Sequence, residues 1–319
     1  MTDTTTSLDV VILSNEFAAY ADALCHYENP VLNIVQATDK PEQIDTCSVE
    51  IMLADPSLAA EIVDKCDNLQ WIQSGWAGNT PLINANNHAY TLTGVKGVFG
   101  KQMREYVFSY LLHFARNVGG FQAAQRYEGQ PKWCKPEFGY LAGKTLGICG
   151  AGSIASSLLD VAQVFDMQVI GLRNSGKAKP GYKAMFSAEQ IGEFVAQSDY
   201  IVNLLPDTPD THNIFDKSVF ATMRPHCVLI NAGRGSAIND QDLIKALNHD
   251  QLRGAVLDVF DKEPLPDHHP FWHHKKIVVT QHTAAESDAA DIAALFHENA
   301  KRYINGDPLN YQFDFNKGY

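Results

Sequence analysis

The chain has 319 residues, 45% of them apolar and 19% charged, with 25 Lys and Arg against 37 Asp and Glu and a formal net charge of −12. That is the composition of a folded globular protein with room for two ordinary domains or one large core, not of a disordered chain. The acidic balance argues against a nucleic-acid partner, which needs clustered cations, and it confines any anion site to a local basic pocket.

No apolar run reaches the length of a bilayer span, which argues against a membrane partner. The opening MTDTTTSLDV has neither a basic nor an apolar signal region. Cys25, Cys47, Cys66, Cys134, Cys149 and Cys227 form no CxxC pair and no zinc spacing. Cys149 and Cys227 read as buried free thiols, and the expected compartment is the cytoplasm.

In chain order, short apolar runs stand first at 10–13, 33–36, 51–53, 69–73 and 90–93, a set that suggests a flavodoxin-like α/β unit. A helical pattern over 100–126 follows, rich in aromatics (Tyr106, Phe108, Tyr110, Phe114, Phe121) and read as one core helix. Six more runs follow at 145–149, 168–172, 200–204, 227–231, 255–259 and 277–280. They are continuous rather than alternating, as parallel strands buried on both faces are. Six is the complement of a doubly wound dinucleotide fold. A last helix over about 287–304 is closed by Asn305-Gly306.

The run at 145–149 opens into Gly150-Ala151-Gly152-Ser153-Ile154-Ala155, a G-x-G-x-x-A loop. The first glycine permits the tight turn, the second lets backbone approach a pyrophosphate, and Ala155 is small enough for helix–strand packing. Ile154, Leu158, Val161, Ala162 and Phe165 then share one helical face. The helix N-terminus is expected to offer free N–H groups to the diphosphate.

About 20 residues past such a loop, an NAD enzyme carries Asp or Glu for the ribose 2′-OH. Here the second strand ends in Leu172-Arg173-Asn174-Ser175-Gly176-Lys177, with no carboxylate. Arg173, Asn174, Ser175 and Lys177 make a small anion site for a 2′-phosphate. NADP(H) is therefore the expected cofactor, with NAD(H) also possible.

Three strings complete the pattern: NAGRGS (231–236), LDVFDKEPLP (257–266) and VVTQHTAA (278–285). With the glycine loop they resemble the D-isomer-specific 2-hydroxyacid dehydrogenase family over most of the chain. The resemblance implies a doubly wound Rossmann cofactor domain, 97–284, inserted in a flavodoxin-like substrate domain, 1–96 and 285–319. It also implies a homodimer through the long helix.

Its chemistry is reduction of a small 2-oxo acid, which needs a carboxylate anchor, a polarised carbonyl and a proton for the new alkoxide. Arg234, with its planar fork, serves the first two needs. His282 serves as acid. An imidazole, ordinarily with a pKa of about 6.5, needs a carboxylate beside it to stay protonated at neutral pH, and Glu263 is the obvious partner.

By resemblance, Ala77 and Gly78 in the Ser74–Gly78 stretch offer N–H groups to the substrate carboxylate, and Trp76 limits substrate size. Further cofactor contacts fall at Leu205, Pro206, Thr211, Ala232, Gly233, Arg234, Asp258 and His282.

Three positions depart from the pattern: Gln281 stands where the family usually has Pro, Arg104 where it has a small residue, and Met103 where a side chain reaches the cofactor. The histidines of His268-His269-Pro-Phe-Trp-His273-His274 lack a regular ligand face, so no metal is expected. By resemblance that segment brings Trp272 to an active-site mouth, its own or that of a partner subunit. It and the ending DFNKGY match best in the glyoxylate/hydroxypyruvate reductase branch. If Trp76, Trp133 and Trp272 all reach the pocket, a small substrate is favoured. The alternatives are an NAD-linked dehydrogenase of a bulkier D-2-hydroxy acid and a non-catalytic dinucleotide-sensing protein. Glu263 argues against formate dehydrogenase activity.

Overall fold

The computed structural model describes residues 7–28, 30–127, 133 and 135–315. The chain divides into two units, Met1–Val98 with Ser287–Tyr319, and Phe99–Glu286. No helix among the described residues is long and apolar enough to cross a membrane.

The first unit holds β1 (Ser7–Leu13), β2 (Val31–Thr38), β3 (Ile51–Ala54), β4 (Trp71–Ser74) and β5 (Thr91–Thr93), paired in parallel in the order β2-β1-β3-β4-β5. This is the flavodoxin-like order. β3 and β4 are buried at every residue, whereas the edge strand β2 alternates between exposed and half-buried positions over its first six residues and is buried at Thr38. The helix Ala289–Asn305 returns from the far end of the sequence to this sheet. Its Phe296 stacks on Trp71 at 4.7 Å. Asp288 caps its N-terminus, and Gly306, at φ 70°, closes its C-terminus in the left-handed conformation. Phe313 and Phe315 pack on the core of this unit; the last residues of the ending, 316–319, lie outside the described ones.

The second unit holds β6 (Thr145–Cys149), β7 (Gln168–Leu172), β8 (Ala184–Phe186), β9 (Tyr200–Asn203), β10 (Val228–Asn231), β11 (Gly254–Leu257) and β12 (Ile277–Val279), parallel in the order β12-β11-β10-β9-β6-β7-β8. The six expected strands omit β8 and include β12. The doubly wound order 3-2-1-4-5-6 is made by β8-β7-β6-β9-β10-β11, and β12 is a seventh strand on the far edge. β8 escapes a sequence reading because it is three residues long with only Phe186 buried, too short for a strand pattern to register.

Alternate strand residues feed two cores. Ile148, Val202, Ile230 and Val256 pack with Val107, Leu111 and Leu158 on one face, and Cys149, Ile201, Leu229 and Leu257 with Phe194, Phe215 and Phe220 on the other. Each fully buried large apolar side chain stabilises the fold by about 1.5–3 kcal/mol. Cys149 and Cys227 are free and buried, and burial drives both thiols far above the ordinary range.

The single helix expected over 100–126 is two, Gly100–Ala115 and Val118–Arg126. The break is at Asn117, which takes φ 51° and accepts the Gly120 N–H at 3.1 Å on its side chain. Asparagine tolerates the left-handed region and caps well, so one residue ends one helix and starts the next. Met103 lies in the core with Val107 and Leu146, not on an open surface.

Candidate active site and cofactor crevice

Ligands of doubly wound sheets bind beyond the carboxyl ends of the strands where the strand order reverses, here between β6 and β9. Gly150 follows β6 at φ 92°, and its N–H donates to Leu172 O at 3.0 Å. A Cβ at Gly150 would lie 2.8 Å from Leu204 O, so any other residue would collide with the chain leaving β9. Gly152 precedes the helix Ser153–Val164, whose first N–H groups lack acceptors within the helix. Ala155 is fully buried beneath it. A tight glycine turn that leads into exposed helix donors fits the diphosphate of a dinucleotide.

Arg173, Asn174, Ser175 and Lys177 are all exposed at the end of β7. Arg173 has no ion-pair partner among the described residues. Lys179, a few positions on, folds back over the glycine loop. Its Nζ donates to Ala151 O at 2.6 Å and stands 3.5 Å from both Gly152 O and Ser156 Oγ. Beyond β9, Thr211 Oγ1 donates to Pro206 O at 2.7 Å and accepts the Thr208 N–H, which closes the 206–211 loop that follows Leu205.

Arg234 leaves β10 through Ala232-Gly233. A Cβ at Gly233 would lie 2.8 Å from Leu205 O, so the β9 and β10 loops touch at backbone distance. Asn203 and Asn231, both buried, bond to each other at 2.9 Å, and Asn231 Nδ2 donates to Arg234 O at 3.0 Å. Arg234 donates from Nη1 to Gly233 O at 2.6 Å. Burial pushes its guanidinium below its ordinary range, against the opposing pull of Asp207 and Glu263 nearby.

The NAGRGS string meets the LDVFDKEPLP string through Gly235. A Cβ there would lie 1.8 Å from Phe260 C and 2.2 Å from Asp261 N. Gly235→Ala is therefore expected to displace the segment that carries Glu263 and to cost about 3 kcal/mol or more, read as a fall in Tm of about 10 °C. An unchanged Tm in thermal unfolding would refute this contact.

Glu263 and His282 are hydrogen-bonded, Oε2 to Nδ1 at 2.7 Å, with side chains 35% and 55% exposed. The other oxygen, Oε1, accepts the Phe260 N–H at 2.8 Å, so the carboxylate cannot turn away. With Nδ1 bonded to the carboxylate, Nε2 is the ring nitrogen left to exchange a proton with a ligand. His282 takes φ 57°, a left-handed conformation for a residue with a side chain, and its N–H donates to Asp258 O at 2.8 Å.

Asp258 is 1% exposed. Its side chain is engaged within the chain, by Thr280 Oγ1, Thr283 N–H and Ala284 N–H. Gln281 makes no hydrogen bond to His282 among the described residues, and the histidine is held in place from Asp258 and Glu263. Gln281 and His282 line a cavity of about 550 Å³ with Phe260, Glu263, Leu265 and Trp272. Trp272 thus stands beside the histidine of its own chain. Trp133, by contrast, is 98% exposed and lines no part of this cavity among the described residues.

Trp76, Ala77 and Gly78 follow β4 in the other unit. Ser74 Oγ bonds both the N–H and the carbonyl of Trp76, and Gly75 is tied to Ala54 and Ser287. The N–H groups of Ala77 and Gly78 have no acceptor among the described residues. Of the clustered histidines, His269 pairs with Asp240 and His274 with Asn248. Among the described residues, the grouping with metal-donor spacing is the exposed Asp22, Cys25 and His26.

The NAD binding domain of the D-isomer specific 2-hydroxyacid dehydrogenases matches residues 108–284. The chain belongs to this family. It is an NAD(P)-dependent enzyme by class, and its two parallel sheets are the family's fold. Over 223 residues it is 33% identical to glyoxylate/hydroxypyruvate reductase A of Escherichia fergusonii, covering 69% of this chain and 70% of that one. A crystal structure of a family protein from Aeromonas salmonicida superposes with a TM-score of 0.89 at 35% identity, covering 97% of this chain and 100% of that one. The NADPH-dependent glyoxylate/hydroxypyruvate reductase of Sinorhizobium meliloti, in complex with NADP and sulfate, does so with a TM-score of 0.84 at 26% identity, covering 98% and 99%.

Several residues of this family member that shape the crevice carry no sequence signal of their own. Asn203 ends an apolar strand and reads as a strand stop, yet with Asn231, the first residue of the NAGRGS string, it braces the Arg234 loop. Lys179 sits in an exposed Lys-Pro-Gly turn, and only the folding back of that turn brings its ammonium to the glycine loop.

Proposed function

We propose that this family member reduces a small 2-oxo acid, glyoxylate, hydroxypyruvate or a similar compound, to the 2-hydroxy acid with NADPH. The observation that carries the reading is the His282–Glu263 pair at 2.7 Å, with the half-buried Arg234 close enough for Glu263 to act on its charge. A nicotinamide bound in the crevice would supply the hydride for the carbonyl carbon. Arg234 holds the substrate carboxylate and draws charge onto the carbonyl oxygen. His282 gives that oxygen a proton from Nε2, and Glu263 carries the matching negative charge. The N–H groups of Ala77 and Gly78 add donors for the carboxylate, and Trp76 limits the substrate. Leu205, Pro206, Thr211, Ala232 and Gly233 would line the cofactor, while Asp258, buried with both carboxylate oxygens bonded within the chain, would support that wall rather than touch the nicotinamide.

The small substrate is supported by the reductases named above. A bulkier D-2-hydroxy acid is the alternative that the 550 Å³ cavity beside His282 favours. Initial rates with glyoxylate, hydroxypyruvate and larger 2-oxo acids, each with NADPH and NADH, decide between them. Best turnover of a long-chain 2-oxo acid would overturn the small-substrate reading.

The NADPH preference is supported by Arg173 in the place of a carboxylate and by relatives crystallised with NADP(H). Arg173→Ala is expected to weaken NADPH binding about tenfold to a hundredfold and to leave NADH nearly untouched. Lys179→Met is expected to weaken both, because its ammonium reaches the loop that meets the diphosphate. Titration of nicotinamide fluorescence measures both effects, and equal losses for the two cofactors in Arg173→Ala would refute the 2′-phosphate assignment.

We also propose a homodimer. The helix Val118–Arg126 buries none of its residues and exposes Val118 and Phe121. An apolar helix face of that kind suits a second copy. Sedimentation as a monomer at micromolar concentration would reject it.

A further inference from the structure

His282 is more than half exposed, so packing does not hold its ring. Its left-handed backbone is a conformation that surroundings must enforce on a residue with a side chain. The enforcing groups converge on Asp258. Its carbonyl accepts the His282 N–H at 2.8 Å. One carboxylate oxygen accepts Thr280 Oγ1 at 2.5 Å and the Thr283 N–H at 2.9 Å, and the other accepts the Ala284 N–H at 3.0 Å.

The network extends outward by one more residue. Tyr106, on the helix Gly100–Ala115, has its hydroxyl 2.8 Å from Thr280 Oγ1. Thr280 has one hydroxyl proton, and it goes to Asp258. The Tyr106 hydroxyl is therefore the donor to Thr280, and the bonds run in one direction from Tyr106 through Thr280 to Asp258. Burial, joined by the nearby Asp258 charge, drives the phenol far above its ordinary range, so it remains a donor at every working pH.

Resting on the reading of His282 as the proton donor, we infer that Tyr106 and Thr280 are positioning residues: through Asp258 they hold the 280–284 backbone and set where the imidazole stands. Glu263 fixes the rotation of the ring, and the Tyr106–Thr280–Asp258 chain fixes the point from which the ring projects. Neither Tyr106 nor Thr280 needs to touch substrate. The role explains a threonine at the end of β12 and a tyrosine hydroxyl spent inside an otherwise apolar helix face.

The test compares Thr280→Val, Thr280→Ser and Tyr106→Phe. Valine keeps the shape of threonine and removes the hydroxyl. It is expected to lower kcat about tenfold to a hundredfold, with the KM for the 2-oxo acid and the dinucleotide Kd close to wild type. Amide hydrogen exchange across 281–284 is expected to quicken in the same variant. Serine restores both, and Tyr106→Phe gives a smaller loss of the same kind. Unchanged exchange at 281–284 in Thr280→Val overturns the inference. So does a fall in kcat that tracks a loss of folded protein and that serine does not restore. Absence of 2-oxo acid turnover in the wild type would refute the proposed function instead, and the exchange measurement would still decide the positioning role.

Discussion

Arg234→Ala is expected to lower kcat/KM for 2-oxo acid reduction by about 10³-fold, while dinucleotide binding changes far less. The size of the effect follows from burial and direction. The guanidinium is partly desolvated, and one of its donors is spent on Gly233 O at 2.6 Å, so the backbone itself orients the fork. A charge held in this way costs no reorganisation when negative charge grows on the carbonyl oxygen. Arg234→Lys is expected to recover little, because a point charge on a flexible stem cannot span a carboxylate and the adjacent oxygen together. The measurement is initial rates beside fluorescence titration of the dinucleotide. An equal loss in both would mean that Arg234 serves the cofactor rather than the substrate. It would also revive a dinucleotide-sensing role, for which turnover is incidental.

The inner strands of both units were legible because buried parallel strands must be continuously apolar, and residues 145–149 and 168–172 match β6 and β7 at both ends, whereas the half-exposed edge strand β2 was caught only at its middle. β8 was not legible, since an edge strand of three residues buries too little to impose a pattern. The break at Asn117 was hidden for a different reason. It depends on a left-handed φ and one side-chain bond, and apolar spacing runs straight through it. In the site, the glycine at 150 announced a backbone constraint that its surroundings explain, a carbonyl 2.8 Å from any added Cβ. Asp258 was legible as a motif residue but not as the anchor of the His282 backbone. That role arises from bonds to Thr280, Thr283 and Ala284, which no spacing rule contains. Gln281 shows the converse. Losing a rigid proline looks serious in sequence, yet the next residue is already fixed by Asp258 and Glu263.

Glu263→Gln is expected to lower turnover by about 10³-fold in both directions, close to the loss from His282→Ala. The reason lies in the second oxygen of Glu263. The Phe260 N–H donates to Oε1 at 2.8 Å and requires an acceptor there. A glutamine in this place must turn its carbonyl toward Phe260, which points its NH₂ at His282. Two donors cannot face each other, so Nδ1 becomes an acceptor and the single ring proton moves to Nε2. In reduction, the imidazole is then neutral and must give up its only proton, which makes it a far weaker acid than an imidazolium. In oxidation, Nε2 already carries a proton and cannot take one from the 2-hydroxy acid. A purely electrostatic role for Glu263 predicts a different result, with reduction slowed and oxidation spared, because a neutral base is then still available. Rates in the two directions for Glu263→Gln, with dinucleotide Kd as a control, separate the cases. Oxidation at wild-type rate would show that Glu263 supplies charge alone and does not choose the histidine's tautomer.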